Sequence, residues 1–253
     1  MSFVEIRNVR KVFGEGERQI VALEEANLTV EKNEFISLLG PSGCGKTTLL
    51  KIVSGLLPLT SGTVVVDDKP VNGPYSDYGF VFQQASLMPW RTVRENVLFP
   101  MEILRRRDSA LDRADELLEL TGLAGFAHAR PHELSGGMQQ RVSLCRALIH
   151  KPKLLLMDEP FGALDEFTRL EMNDLLLKVK HETNAAVLFV THSVAESVYL
   201  ADRIVVFSRR PARVQLEIPV ELPAHRTQEM RFMPEFIKAE RHASEALGII
   251  KGH

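Results

Sequence analysis

The run Gly40-Pro41-Ser42-Gly43-Cys44-Gly45-Lys46-Thr47-Thr48 carries the clearest chemistry in the chain. Its glycines have the spacing of a loop that curls around a polyphosphate. Such an anion needs several backbone N–H groups aimed inward, and glycine lets the backbone curl tightly enough to supply them. The run Phe35-Ile36-Ser37-Leu38-Leu39 reads as a buried strand before the loop, and a helix opens near Lys46 after it. The positive end of that helix adds to the anion's stabilisation. Lys46 can place its ammonium between β- and γ-phosphates, and Thr47 can offer a hydroxyl to Mg²⁺. Alone, the loop says only that a nucleotide phosphate binds.

Two acids form the next group. Leu154-Leu155-Leu156-Met157-Asp158-Glu159-Pro160 puts Asp158 and Glu159 at the C-terminal end of a buried strand, where ligands bind in open α/β sheets. Asp158 can hold the Mg²⁺ shell, and Glu159 can orient and polarise a water attacking the γ-phosphate. Asp-Glu at a strand end is also a common plain turn; the phosphate loop upstream is what gives the pair its catalytic reading.

The third group is Leu134-Ser135-Gly136-Gly137-Met138-Gln139-Gln140-Arg141. A serine and two glycines at a helix start offer a hydroxyl and exposed N–H groups, a second anion site. One chain with two such helix ends has little use for both on one nucleotide unless two copies face each other. The segment resembles the signature of the ATP-binding-cassette (ABC) family, usually written Leu-Ser-Gly-Gly-Gln; Met138 stands where the family most often has Gln.

The resemblance spans roughly residues 3–215 and carries further implications. It implies an α/β fold with a P-loop (RecA-like), mostly parallel sheet core, an antiparallel β subdomain and an inserted helical subdomain. ATP and Mg²⁺ are the implied ligands, with Ser135, Gly136 and Gly137 of one copy closing over the ATP held by the P-loop of a second copy, head to tail. Gln83 is similar to the Q-loop glutamine that reaches Mg²⁺ or water, with Gln84 a lesser candidate. Gly162-Ala163-Leu164-Asp165 resembles the D-loop, with Asp165 touching the partner copy, and His192 resembles the switch histidine on the γ-phosphate. Phe13 resembles the aromatic that stacks on adenine, although a phenylalanine there could equally be core.

The elements that must position these residues read as strands alternating with helices, the pattern of a largely parallel sheet covered on both faces. Val4, Ile6 and Val9 lead to a Gly14–Glu17 turn, then Leu28 and Val30 alternate with polar residues. Val64–Val66, Gly79–Phe82, Ala186–Val190 and Ile204–Phe207 read as further strands, and 164–180 as a long amphipathic helix. Between Ser86 and Ile149 the chain turns helical. Asp108-Ser109 can cap a helix whose face is Leu111, Ala114, Leu117 and Leu118, with Gly122 ending it; Met138, Val142, Cys145 and Ile149 share another face. The expected organisation is a single ABC ATPase domain over 1–253. Its nucleotide-binding core with the β subdomain takes 1–85 and 150–215, its helical signature subdomain 86–149, and a short tail 216–253.

Composition narrows the class. A net charge of −2 gives no basic field for nucleic acid, and the runs Arg105–Arg107 and Arg209, Arg210, Arg213 read as solvated faces. The two cysteines, Cys44 and Cys145, lie far apart in no ligand-like spacing, so neither a disulfide framework nor a zinc site is expected. Glu5 interrupts the N-terminal stretch where a signal peptide needs apolar residues, and no apolar run approaches a membrane span. Work at a membrane would require recruitment by a partner.

Gln83-Gln84-Ala85-Ser86-Leu87-Met88-Pro89-Trp90 and the residues to Val97 resemble importer ATPases, in which this region receives a coupling helix from the permease. The stretches 158–169 and 208–214, and the tail with Met233-Pro234-Glu235-Phe236, are most similar to nitrate/sulfonate/taurine-type importer ATPases. That resemblance implies integral permease subunits as partners, an extracytoplasmic solute-binding protein acting indirectly, no nucleic acid, and a peripheral place on the cytoplasmic side of the cell membrane. The competing expectation is a non-transport ABC ATPase acting on DNA or the ribosome, which usually carries a long coiled-coil insertion or two cassettes. A third, an ATP-binding regulatory module without turnover, is disfavoured by the presence of Glu159 and His192.

Overall fold

A computed structural model describes residues 2–250; Met1 and 251–253, the end of the expected tail, lie outside the described residues. The chain divides into two compact units, one of Met1–Ser76 with Asn184–His253 and one of Asp77–Thr183.

The first unit opens with β1 (Val4–Phe13) and β2 (Ile20–Val30), joined by a short 3₁₀ turn over Gly16–Arg18. With β4 (Ser61–Val66) and β5 (Lys69–Pro70) they form an antiparallel sheet in the order β2-β1-β4-β5. Alternate residues of β1 (Val4, Ile6) are buried while their neighbours are not, the period of a sheet with one wet face. A second run of strands, β10-β9-β3-β8, joins β3 (Phe35–Leu39), β8 (Ala186–Thr191), β9 (Arg203–Phe207) and β10 (Val214–Pro219). β3 is parallel to both β8 and β9, pairing Ile36 with Leu188 and with Arg203. Every residue of β3 and β8 is buried, so their continuous apolar runs reflect cover on both faces. The one polar side chain within β3, Ser37, is satisfied by Ser197 at 2.8 Å.

Helix α1 (Lys46–Val53) follows β3, and α6 (Val194–Leu200) follows β8. Beyond residue 215 the structure departs from the expected short tail. β10 pairs antiparallel with β9, and α7 (Pro234–Ala246) buries Phe236 and Ala243 against its neighbours. Pro234 at the first helical turn, where no N–H is needed, starts that helix. Arg226 then closes the end of α6, donating to the carbonyls of Tyr199 (2.8 Å) and Ala201 (2.9 Å).

The second unit contains β6 (Tyr78–Val81) and β7 (Leu154–Asp158), paired in parallel, and four helices. These are α2 (Val93–Ile103), α3 (Leu111–Leu120), α4 (Gly136–Leu148) and α5 (Glu166–Thr183). The capping box Thr92/Glu95 sets the start of α2. Asp108-Ser109 do not cap α3 as expected; they form a 3₁₀ turn, and Ser109 bonds back to the Arg106 carbonyl. Gly122 does end that helix, at φ +70°. On α4, Val142, Cys145 and Ile149 are buried while Met138 is half-buried. Among the described residues no helix is long and apolar enough to cross a membrane.

Candidate functional site

In the first unit, the phosphate loop leads from the buried end of β3 into α1, as the spacing required. A loop that turns its N–H groups to an anion must still satisfy its carbonyls. Here cations take them. Lys46, only 4% exposed, donates to the carbonyls of Gly40 (2.6 Å) and Pro41 (3.0 Å). Arg210 donates to the carbonyl of Gly43 at 2.6 Å. Gly45 sits at φ +125°, where an added Cβ would stand 3.0 Å from the Ala22 carbonyl oxygen and from Leu23. Pro41, Gly45, Thr47 and Thr48 are partly exposed, Ser42 and Gly43 exposed, and Cys44 buried.

The turn that carries Arg210 is fastened to β2 beside this loop. Ala212 N donates to Ala22 O (3.1 Å), Glu24 N donates to Ala212 O (3.0 Å), and Arg213 pairs with Glu24 (2.8 Å). The arginine run 209–213 is therefore more than a solvated face: one member braces the phosphate loop and another anchors the brace. Phe13, at the end of β1, is 40% exposed and carries the Lys11 ammonium 5.1 Å above its ring, which is not the setting of a core residue. His192 is exposed, directly after β8. Ser193 behind it caps α6 and donates its own N–H to Thr191 Oγ1 at 3.0 Å, which fixes the turn holding the histidine.

In the second unit, Asp158 is the last residue of β7 and Glu159 the first beyond it, both half-buried. Glu159 lies at φ +46°, in the left-handed region. Glutamate lacks the short side-chain bonds with which Asn and Asp tolerate that region, so the turn stores strain of about 1–3 kcal/mol. Gln83 is exposed just past β6. Ser135 and Gly136 are exposed at the start of α4, where Ser135 accepts from Met138 N at 3.3 Å as the cap. Gly137 is buried, and a Cβ there would come 2.6 Å from Thr168 Cγ2. Asp165 accepts from Thr168 N (3.0 Å) and Thr168 Oγ1 (2.7 Å), capping α5; these bonds hold its carboxyl below the usual carboxylate range.

Two residues to which the sequence reading assigns no role also shape this unit. Gln140, 4% exposed, donates to Phe82 O (3.0 Å), Gln83 O (3.4 Å) and Pro160 O (2.5 Å). Asn96, fully buried, accepts from Met88 N (2.8 Å) and donates to Thr92 O (2.9 Å). It holds the base of the Leu87–Arg91 loop and leaves Trp90 69% exposed at its tip, so the aromatic there is not core. The Cys145 thiol is pushed up to about 12 by burial, which makes it a packing residue rather than a reactive one.

Thr47, Gln83 and Asp158 offer a hydroxyl, an amide and a carboxylate, the hard oxygen donors that Mg²⁺ takes. Among the described residues no group of three or more His, Cys, Asp or Glu could hold a metal unaided.

A phosphate loop whose carbonyls Lys46 takes, a helix tip at Ser135 and Gly136, and Asp158-Glu159 at the end of β7 are the parts of a nucleotide-hydrolysing cassette. The chain belongs to the ABC transporter family, whose profile matches residues 23–162, and is an ABC-type ATPase that binds and hydrolyses ATP. It is 41% identical over 256 residues to a nitrate import ATP-binding protein of Synechocystis sp., covering 98% of this chain and 95% of that one. It is 43% identical over 223 residues to an aliphatic sulfonates import ATP-binding protein of Bacillus licheniformis, covering 88% and 87%. Among solved structures it is similar to a dimeric ATP-binding cassette in a post-hydrolysis state bound to ADP and Pi (TM-score 0.75, 35% identity, 87% of this chain and 100% of that one).

Proposed function

We propose that this chain is the ATPase subunit of an importer for nitrate, a sulfonate, taurine or a similar small solute, working at the cytoplasmic side of the cell membrane. The relatives named for nitrate and sulfonate import support the solute class, and the dimeric solved cassette supports a pair of subunits, which we place head to tail. The observation that carries the reading is the exposed helix tip at Ser135 and Gly136, an anion site that its own chain leaves open. Ser135, Gly136 and Gly137 of one copy contact the γ-phosphate of ATP held by Gly40–Thr48 of the other, and Asp165 lies at the junction. Phe13 stacks on the adenine.

Lys46 neutralises the β- and γ-phosphates, Glu159 polarises the attacking water, and His192 contacts the γ-phosphate. Thr47, Asp158 and Gln83 would offer oxygen donors to Mg²⁺, which would supply charge neutralisation on the polyphosphate. ATP pulls the pair shut through charge-assisted hydrogen bonds from both copies, and hydrolysis releases it. The exposed Trp90, on a loop pinned at its base, supports permease docking there, with an extracytoplasmic solute-binding protein acting through the permease. The helical signature subdomain takes 86–149 and the nucleotide-binding core with the β subdomain takes 1–85 and 150–215, while β10 and α7 give the segment after 215 more structure than a short tail. The helices of the signature subdomain are 10–13 residues long, which gives a DNA- or ribosome-directed coiled coil no support.

Glu159→Gln tests the cycle. With ATP and Mg²⁺ the variant is expected to run as a dimer in light scattering while turnover falls about 10³-fold. A monomer under saturating ATP, or hydrolysis at the parent rate, sinks the proposal.

A further inference from the structure

Gln140 sits in the second turn of α4, inside the second unit, with its side-chain amide nitrogen aimed at three backbone carbonyls. The bond to Pro160 is the shortest at 2.5 Å; Phe82 (3.0 Å) and Gln83 (3.4 Å) share the remaining donor. An amide NH₂ has two hydrogens, so its whole donor capacity is spent here. Pro160 follows Glu159, whose φ of +46° persists only where the surroundings enforce it. Phe82 and Gln83 are the first residues past β6. One buried side chain thus fixes the backbone beside both Gln83 and Glu159.

The same helix begins at the Ser135 tip, and its first turns are fastened to α5 as well. Gly137 admits no Cβ against Thr168 (2.6 Å), and Arg141 pairs with Glu171 at 2.8 Å. Thr168 in turn holds the Asp165 carboxylate. The tip, the Glu159 turn, the start of the Gln83 loop and the Asp165 cap are therefore joined within one unit, and Gln140 is the member that reaches the Glu159 and Gln83 segments together.

We infer that Gln140 is a positioning residue that ties engagement of the Ser135 tip to the placement of Glu159 and Gln83 in the same subunit. This rests on the paired reading proposed above. In such a pair the tip that grips one nucleotide belongs to the subunit whose Glu159 acts on the other. Gln140 then makes hydrolysis at each site depend on closure over its twin, and cooperativity in ATP is the property it confers.

The test uses the full-length protein and two substitutions of nearly equal size. Gln140→Met removes both donors; Gln140→Glu keeps the shape but can donate only when protonated. For Gln140→Met, kcat is expected to fall about 10²-fold, the scale of a catalytic group displaced by an ångström. Its ATP affinity, read with a fluorescent ATP analogue, should stay within about threefold, because the phosphate loop is untouched. Its Hill coefficient for ATP should drop to about 1 from about 2 in the parent. For Gln140→Glu, kcat relative to the parent should recover as pH falls from 8 to 6, a pH dependence that Gln140→Met lacks.

Parent-like kcat and Hill coefficient in a folded Gln140→Met protein overturn the inference. So does a loss of kcat matched by an equal loss of affinity, which would mark a packing residue. If Gln140→Met does not fold, the pH profile of Gln140→Glu decides: a flat ratio to the parent overturns the proposal. A parent Hill coefficient of 1, with no ATP-driven dimer of Glu159→Gln, defeats the paired reading itself and is distinct from both results.

Discussion

The two glycine-bearing helix starts look alike in sequence and differ in how far their own chain completes them. At α1, lysine and arginine side chains occupy the carbonyls of Gly40, Pro41 and Gly43, and Gly45 combines φ +125° with a tight 3.0 Å approach to the Ala22 carbonyl oxygen. At α4, Ser135 and Gly136 face outward, and a Cβ on Gly136 would meet nothing within 4 Å. Only Gly137 is dictated by its own chain, through Thr168. Matching glycine patterns can therefore have different causes: the first cradle needs its glycines to fold, whereas Gly136 serves whatever approaches from outside.

The largest effect that could break this comparison lies at Lys46. Lys46→Ala removes the charge that closes the first cradle, and ATP affinity by calorimetric titration should fall roughly 10²-fold, about 3 kcal/mol for a charged hydrogen bond. Unchanged affinity would mean the cradle does not hold the phosphates. Next come the paired glycines. Gly137→Ala is expected to cost about 2 kcal/mol by overpacking and to lower Tm by roughly 4–8 °C. Gly136→Ala should leave Tm unchanged and yet slow turnover about tenfold at saturating ATP, because the cost falls on the approaching phosphate. If both alanines shift Tm alike, the distinction between the two glycines fails. The smallest effect sharpens the account of the first cradle. Arg210→Ala should weaken ATP binding about fivefold, about 1 kcal/mol for one brace, with kcat at saturating ATP intact. A fall in kcat with affinity unchanged would remove Arg210 from the cradle.

The phosphate loop was legible because one short segment contains both the chemistry and the local backbone that serves it. The same holds for Leu154–Glu159, whose continuous apolar run announces a strand buried on both faces. Gln140 was not legible. The apolar stripe Met138, Val142, Cys145 and Ile149 leaves it on the far side of the helix, where a polar residue reads as solvated. α4 is instead buried over more than one face, with Ser143, Leu144, Ala147 and Leu148 also covered. β10 and α7 were missed for a related reason: their burial rests on few residues, such as Ile218, Phe236 and Ala243, too sparse to set a period. For Asp165, a residue that resemblance assigns to a partner also has a local task, capping α5, which a motif alone does not reveal.

Asn96 gives the Leu87–Arg91 loop a stiff root, because its amide bonds reach the loop and the first turn of α2 together. Trp90 at the crest is then less a flexible feeler than the handle of a crank. Displacing the base of that loop therefore means either breaking the Asn96 bonds or moving the first turn of α2 with it.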